Sequence, residues 1–103
     1  MLVVNTETIP GKEYEVIQLV TGAYIMSKNI GKDIGSSFRN LVGGKMESYT
    51  QMLKEATDGA LNDMKEAAES LGADAIVNVR FASSSIVQGG AEMLASGTAV
   101  KFK

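Results

Sequence analysis

The residues of this chain that could do chemistry are mainly carboxylates, and two groups of them are spaced closely enough to share a cation. One group falls in a helical stretch and the other around the first turn: Asp58, Asp63, Glu66 and Glu69, and Glu7, Glu13 and Glu15. The helical acids avoid the apolar stripe and pair with lysines four residues away, as Lys54 does with Asp58. This pattern favours a solvated helix face over a hard-cation site.

The sequence lacks the residues for catalysis or metal binding by thiolate or imidazole, and for serine nucleophiles activated by histidine. The 103 residues contain no cysteine and no histidine, which removes disulfides, the softest metal ligands and the usual general base. Ser83–Ser85 has no histidine partner and is interpreted as a hydrophilic loop. The glycine pairs in Gly43–Lys45 and Gly89–Gly90 lack the spacing of phosphate-binding loops, so they indicate a helix end and a flexible hairpin.

Arg80 is the one charged residue in an otherwise apolar strand. Strict alternation places Arg80 on one face with Ile76 and Asn78. The opposite face, directed toward the helix, then carries Val77, Val79 and Phe81. A guanidinium on a face without a helix needs water or a carboxylate, and Glu92 across the hairpin is the nearest candidate by sequence. Three roles stay open for Arg80: an exposed edge residue, a salt bridge at a subunit interface, or a contact to an anionic ligand.

The length and charge of the chain limit its class and its partners. A chain of 103 residues suffices for one hydrophobic core, so we predict a single domain over residues 1–103. Ten Lys and Arg against 12 Asp and Glu give a net charge of -2 without a block of one sign, which disfavours nucleic acid and anionic membranes. The sequence shows neither a signal peptide nor an apolar run of membrane-spanning length. We therefore expect a cytoplasmic protein.

Two helices are predicted from apolar spacing. Ile34, Phe38, Leu41 and Val42 indicate a short helix that ends at Gly43-Gly44. The strongest periodicity in the chain predicts a second helix from about Lys45 to Leu71, roughly 40 Å long. Gly72 ends this helix and a β-branched run follows at once, so the next strand is expected to lie back against the helix.

Four strands complete the prediction. Leu2–Glu7 and Tyr14–Ser27, separated by Pro10-Gly11, are interpreted as two antiparallel strands. The third strand is predicted at Ala75–Ala82, and the fourth from about Glu92 to Phe102. The expected fold class is α+β with two layers: an antiparallel sheet with one long helix, and the short helix before it, packed on one face.

Self-association is predicted from two features. Both faces of Tyr14–Ser27 are largely apolar, which indicates that both are covered, and the long helix exceeds the width of a small sheet. Gly59 lies inside that helix and should cost about 1 kcal/mol relative to alanine unless a neighbour needs the space. Close packing and simple tolerance are equally good explanations for Gly59.

The chain resembles the YbjQ-like family, small bacterial proteins of unknown function that are often labelled heavy-metal-binding. The resemblance spans nearly the whole chain and rests on several short segments: Arg39 leading into Gly43-Gly44, Tyr49-Thr50 with Leu53, Ala60-Leu61, Leu71–Val77 with Val79–Phe81, and Gly97–Val100. It implies a two-layer α+β subunit that assembles as a ring, a homopentamer, with sheet and helix edges joined between neighbours.

These features lead to two main functional hypotheses and a third, weaker one. The first is a non-enzymatic homo-oligomeric binding or scaffold protein without a cofactor. The second is a small-molecule or metal binder with its pocket at the subunit interface, using Arg80, Asn78 and Tyr49 as polar anchors. The third is an enzyme that relies on carboxylates alone. A soft metal would find only the six methionines, and those on the helix stripe are better explained as core residues.

Overall fold

A computed structural model describes residues 1–26, 46–84 and 91–103. Five elements follow in chain order: β1 (Leu2–Val3), β2 (Tyr14–Met26), α1 (Met46–Ser70), β3 (Ala75–Ser84) and β4 (Ala91–Phe102). They form two layers, with α1 packed against one face of a four-stranded sheet. The α+β class and the long helix are confirmed, and the predicted short helix at 34–42 lies outside the described residues.

The sheet is mixed rather than antiparallel, which corrects the prediction for the first two strands. The strand order is β1-β3-β4-β2, and β1 pairs in parallel with β3 instead of forming a hairpin with β2. The chain continues along β3 after β1, where the amide of Val79 donates to the carbonyl of Val4. The turn at Pro10-Gly11 closes only a local bond, from the amide of Lys12 to the carbonyl of Ile9 at 3.1 Å, and so does not set strand pairing.

Small side chains let the helix approach the sheet closely. The buried stripe of α1 is made by Ala56, Ala60, Met64 and Ala68, and it packs on Val20 of β2, Ile76 and Val79 of β3, and Met93, Ala95 and Ala99 of β4. A Cβ atom at Gly22 of β2 would collide with the backbone of α1 at Ala60 and Met64. Glycine is therefore required at Gly22 by the close contact between strand and helix.

The junction between α1 and β3 forms as the sequence predicts. Gly72 takes a φ of 77°, and the amide of Ala73 donates to the carbonyl of Ala68 while that of Gly72 donates to Glu69. This pair of bonds is the Schellman arrangement that ends a helix at a glycine. Asp74 then accepts from the amide of Phe102 at 2.8 Å, which fixes the start of β3 beside the end of β4.

A second, smaller core lies on the sheet face away from α1, called here the helix-free face. Its buried members Ala75, Val77 and Val100 are covered by side chains from the first loop and the strand ends: Val4, Ile9, Tyr14 and Phe102. The tyrosine hydroxyl donates to the carbonyl of Glu7, which holds the loop down. This core covers one end of the helix-free face. Within the described residues, no helix is both long and apolar enough to cross a membrane.

Candidate functional site

The candidate site on β3 is shaped by a bulge at Asn78. The register of β3 against β4 shifts between Val77 and Arg80, and Asn78 has a φ of 55°. Asparagine tolerates this left-handed conformation better than most residues. The amide of Asn78 donates to the carbonyl of Thr6 at 3.0 Å, so the bulge is held by the chain that follows β1.

The bulge corrects the predicted faces of β3. Ile76 was expected to point away from the helix, yet it is fully buried in the core beneath α1. Val77 was expected to face the helix and instead belongs to the core on the helix-free face. The extra residue at Asn78 restores Val79 to the helix side, and alternation then places Arg80 on the helix-free face. Strict alternation therefore placed Arg80 correctly but misplaced the residues before the bulge.

The guanidinium of Arg80 lies at the β1 side of the sheet. Arg80 is exposed, and its Nη1 atom donates to the carbonyl of Asn5 at 3.1 Å and to that of Val79 at 3.0 Å. A guanidinium has five N–H donors, and these two carbonyls use fewer than half of them. Arg80 thus offers a positive charge at the edge of the sheet where β1 ends.

The other candidates are not gathered around Arg80. Arg80 pairs with Ser96 across β4, whereas Glu92 pairs with Ser84, about 13 Å farther along the strand. The expected position of Glu92 opposite Arg80 is therefore wrong within one chain. Tyr49 lies in the first turn of α1, and α1 packs on the opposite face of the sheet. The structure brings together only Arg80 and the bulge at Asn78.

The uncovered part of the helix-free face is apolar. Leu19 and Ile25 of β2 are 66% and 53% exposed there, and Leu94 of β4 is 44% exposed. Thr21 and Ser96 pair between these apolar positions. Among residues 1–26, 46–84 and 91–103, the predicted cover over both faces of β2 is found only on the helix side.

A groove that the sequence did not reveal runs between β2 and the end of α1. It has a volume of about 290 Å³ and is lined by Gln18–Thr21 of β2 and by Ala67, Ser70 and Leu71 near the end of the helix. These residues lie about 50 positions apart and form no motif, so only the packing of α1 on β2 could show the groove.

The acids of α1 do not form a metal centre among the described residues, where no three acidic, histidine or cysteine side chains cluster. Asp58, Glu66 and Glu69 are exposed. A carboxylate oxygen of Asp63 accepts from the backbone amide of Ala23 at 3.0 Å. Asp63 thus serves as a partner for the edge of β2, in a role that the helical pattern alone did not indicate.

Several proteins are similar to this chain over its full length. A family model described as "Putative heavy-metal-binding" matches residues 1–103. A UPF0145 protein from Clostridium perfringens is 59% identical over 104 residues, covering 100% of this chain and 98% of the relative. Another from Clostridium novyi is 54% identical and covers 99% of both chains. A UPF0145 protein from Thermotoga maritima is 46% identical, covering 100% of this chain and 98% of its own.

A solved structure shares the fold. The crystal structure of a protein with unknown function, of the DUF74 family from Pediococcus pentosaceus, aligns with a TM-score of 0.70. The alignment covers 100% of this chain and 98% of that chain at 17% sequence identity. It supports the arrangement of one helix on a four-stranded mixed sheet.

Proposed function

This chain belongs to the YbjQ-like family, and from that premise we propose that it is a non-enzymatic protein that works as a homo-oligomer, a ring of five subunits. Its role would be to offer binding or scaffold surfaces created by assembly. The near balance of charges supports self-association over nucleic-acid or membrane partners. The proposal places the protein in the cytoplasm, without a cofactor.

The uncovered helix-free face carries the proposal. Leu19 and Ile25 of β2 expose more than half of their surface on this face. Covering such a side chain gains on the order of 1 to 2 kcal/mol, because fully burying one gains about 1.5 to 3 kcal/mol. Several exposed apolar side chains on one face of a sheet favour an interface at that face.

Arg80 is proposed as an anchor of the assembly. Its guanidinium lies at the sheet edge, where it donates to the backbone carbonyls of Asn5 and Val79, so a carboxylate of a neighbouring subunit could complete its contacts. If that pair is buried between subunits, Arg80→Ala should cost about 3 to 5 kcal/mol, against under about 1 kcal/mol for an exposed arginine.

The Arg80→Ala experiment tests the proposal by light scattering and thermal melting at micromolar concentration. We expect the variant to dissociate or to melt earlier than the natural chain. Lys54→Ala, which removes an exposed cation from α1, is the matched control and should change neither property. If Arg80→Ala keeps its oligomeric mass and its melting temperature, the anchor role is wrong.

A second candidate function is a small-molecule or metal-ion binder with its site at the subunit interface. It is favoured by the description of the family model, and the groove between β2 and α1 offers a place for a small ligand. A binder gains thermal stability from its ligand, whereas a scaffold does not. A melting screen with metals and metabolites separates the two functions.

A further inference from the structure

The guanidinium of Arg80 is held in place by one of its three nitrogens. Its bonds to the carbonyls of Asn5 and Val79 both come from Nη1. The N–H of Nε and one N–H of Nη2 lie side by side in a guanidinium, and together they form a fork that can bind a carboxylate through two parallel hydrogen bonds. This fork takes part in neither bond. Arg80 therefore presents a group suited to anions, in an orientation that the backbone already fixes.

No described carboxylate neutralises this guanidinium. The ion pair that the described residues form lies elsewhere, between Lys101 and Asp74 at 3.8 Å. The two carbonyls that contact Arg80 are uncharged, so they orient the guanidinium without cancelling its charge. The positive charge of Arg80 is thus available to an anion from outside these parts of the chain.

Hydroxyl groups lie across the sheet from Arg80. Arg80 pairs with Ser96 of β4, and Ser96 pairs in turn with Thr21 of β2. Directly opposite residues on one face of a sheet have Cβ atoms about 4.5 to 5.5 Å apart. The hydroxyl of Ser96 is therefore close enough to donate to an anion that the guanidinium binds.

Apolar side chains lie beside the pair of Arg80 and Ser96. Ala82 pairs with Leu94 one step farther along the same two strands, and alternation places both on the helix-free face. Leu94 is 44% exposed, and Ala82 is exposed as well. A ligand that carries hydrocarbon next to its acid group would cover Leu94 while the acid meets Arg80. The hydrocarbon would also keep water from the ion pair and so strengthen it.

The single guanidinium favours a ligand with one negative charge. A phosphate dianion would bring a second charge beside Leu94, where an uncompensated charge is costly. A carboxylate brings one charge, and its planar shape matches the fork of a guanidinium. The chemistry of this part of the face therefore fits a carboxylate better than a phosphate.

We infer that the helix-free face binds a monocarboxylate with a short hydrocarbon body. The acid lies in the fork of Arg80 beside Ser96, and the hydrocarbon lies on Leu94 and Ala82. The inference goes beyond the proposed assembly and rests on the second candidate function, for which it names a site and a class of ligand. The site uses β3 and β4, and the second N–H of Nη2 remains for the neighbouring carboxylate of the anchor role.

Calorimetry with hexanoate tests the class of ligand. Hexanoate should bind the purified natural chain at one site per chain. Acetate lacks the hydrocarbon body and hexan-1-ol lacks the charge, so each should bind at least about tenfold more weakly. Inorganic phosphate should also bind more weakly than hexanoate.

Three variants test the site. Arg80→Lys keeps the charge and removes the fork, so it should weaken hexanoate binding about tenfold. Leu94→Ser should reduce the preference for hexanoate over acetate. Lys54→Gln removes an exposed cation from α1 and is the control that should bind as the natural chain does. Circular dichroism and light scattering on the same samples separate loss of the ligand from loss of fold or assembly.

Nuclear magnetic resonance gives a direct view of the fork. The chain has two arginines, Arg39 and Arg80, so an Arg39→Lys variant assigns their Nε–H signals. Hexanoate should shift the signal of Arg80 and leave that of Arg39 in place.

The outcomes separate this inference from the proposed assembly. A natural chain that assembles but binds no hexanoate overturns the site and leaves the assembly. Hexanoate binding that neither Arg80→Lys nor Leu94→Ser changes places the ligand elsewhere and also overturns the site, and tighter binding of phosphate overturns the class of ligand. A monomeric chain that binds hexanoate through Arg80 supports this inference and contradicts the assembly.

Discussion

At the residue scale, the chemistry of this chain is restricted by the side chains it lacks. Soft heavy metals prefer thiolate, thioether or imidazole ligands, and with no cysteine and no histidine only methionine sulfur remains. Met64 is fully buried beneath the sheet and Met93 is 8% exposed. Both methionines are explained by packing, and Met64 supports the interpretation of the helix stripe as core.

Metal binding by the purified chain should therefore be weak. We expect calorimetry with zinc, copper and cadmium to show no stoichiometric binding at sub-micromolar concentration, because exposed carboxylates alone hold such ions loosely. Titration of the metals into buffer is the control. Tight binding of one ion per chain or per assembly would instead indicate an acidic or methionine site and favour the second candidate function.

Single residues also show where sequence patterns fail. Alternation predicts one face for Ile76 and the other for Val77, but both assignments are inverted by the bulge at Asn78. The bulge depends on bonds to the chain after β1, which lies about 70 residues away. No local signal marks it, since asparagine in a strand is compatible with regular alternation.

At the element scale, features that depend on neighbouring residues were predicted correctly, whereas the pairing of strands far apart in the sequence was not. The period of α1 and the stop at Gly72 depend on neighbouring residues, and both are confirmed. The partner of β1 depends on β3, far along the chain, and the hairpin prediction was wrong. The contact of α1 with β2 explains Gly59, because a Cβ atom there would collide with the ring of Tyr24.

The effect of Gly59→Ala on the free energy of unfolding should change sign when the ring of Tyr24 is removed. Gly59→Ala would normally stabilise a helix by about 1 kcal/mol. Here it should lower the free energy of unfolding, because the added methyl group meets the Tyr24 ring. In a Tyr24→Ala background the same change should become stabilising.

Urea unfolding of the natural chain, of Gly59→Ala, of Tyr24→Ala and of the double variant completes this double-mutant cycle. Its control is built in, since Tyr24→Ala alone reports the loss of the ring. If Gly59→Ala has the same effect with and without the tyrosine, Gly59 is tolerated rather than required for packing.

At the scale of the whole molecule, the resemblance to the YbjQ-like family is confirmed over all 103 residues. The α+β architecture follows from it and from the helical period. The groove could not be predicted, because it arises from the order of the strands and from the packing of α1 on β2. The proposed assembly depends on the exposed apolar residues of the helix-free face.

The mass of the natural chain in solution tests the central claim most directly. Light scattering coupled to size exclusion at micromolar concentration should give one species of about five times the chain mass of 10.9 kDa. Other closed ring sizes would change the subunit number and keep the assembly. A single species of 10.9 kDa would contradict the account, because Leu19 and Ile25 would then remain exposed to water in the working protein.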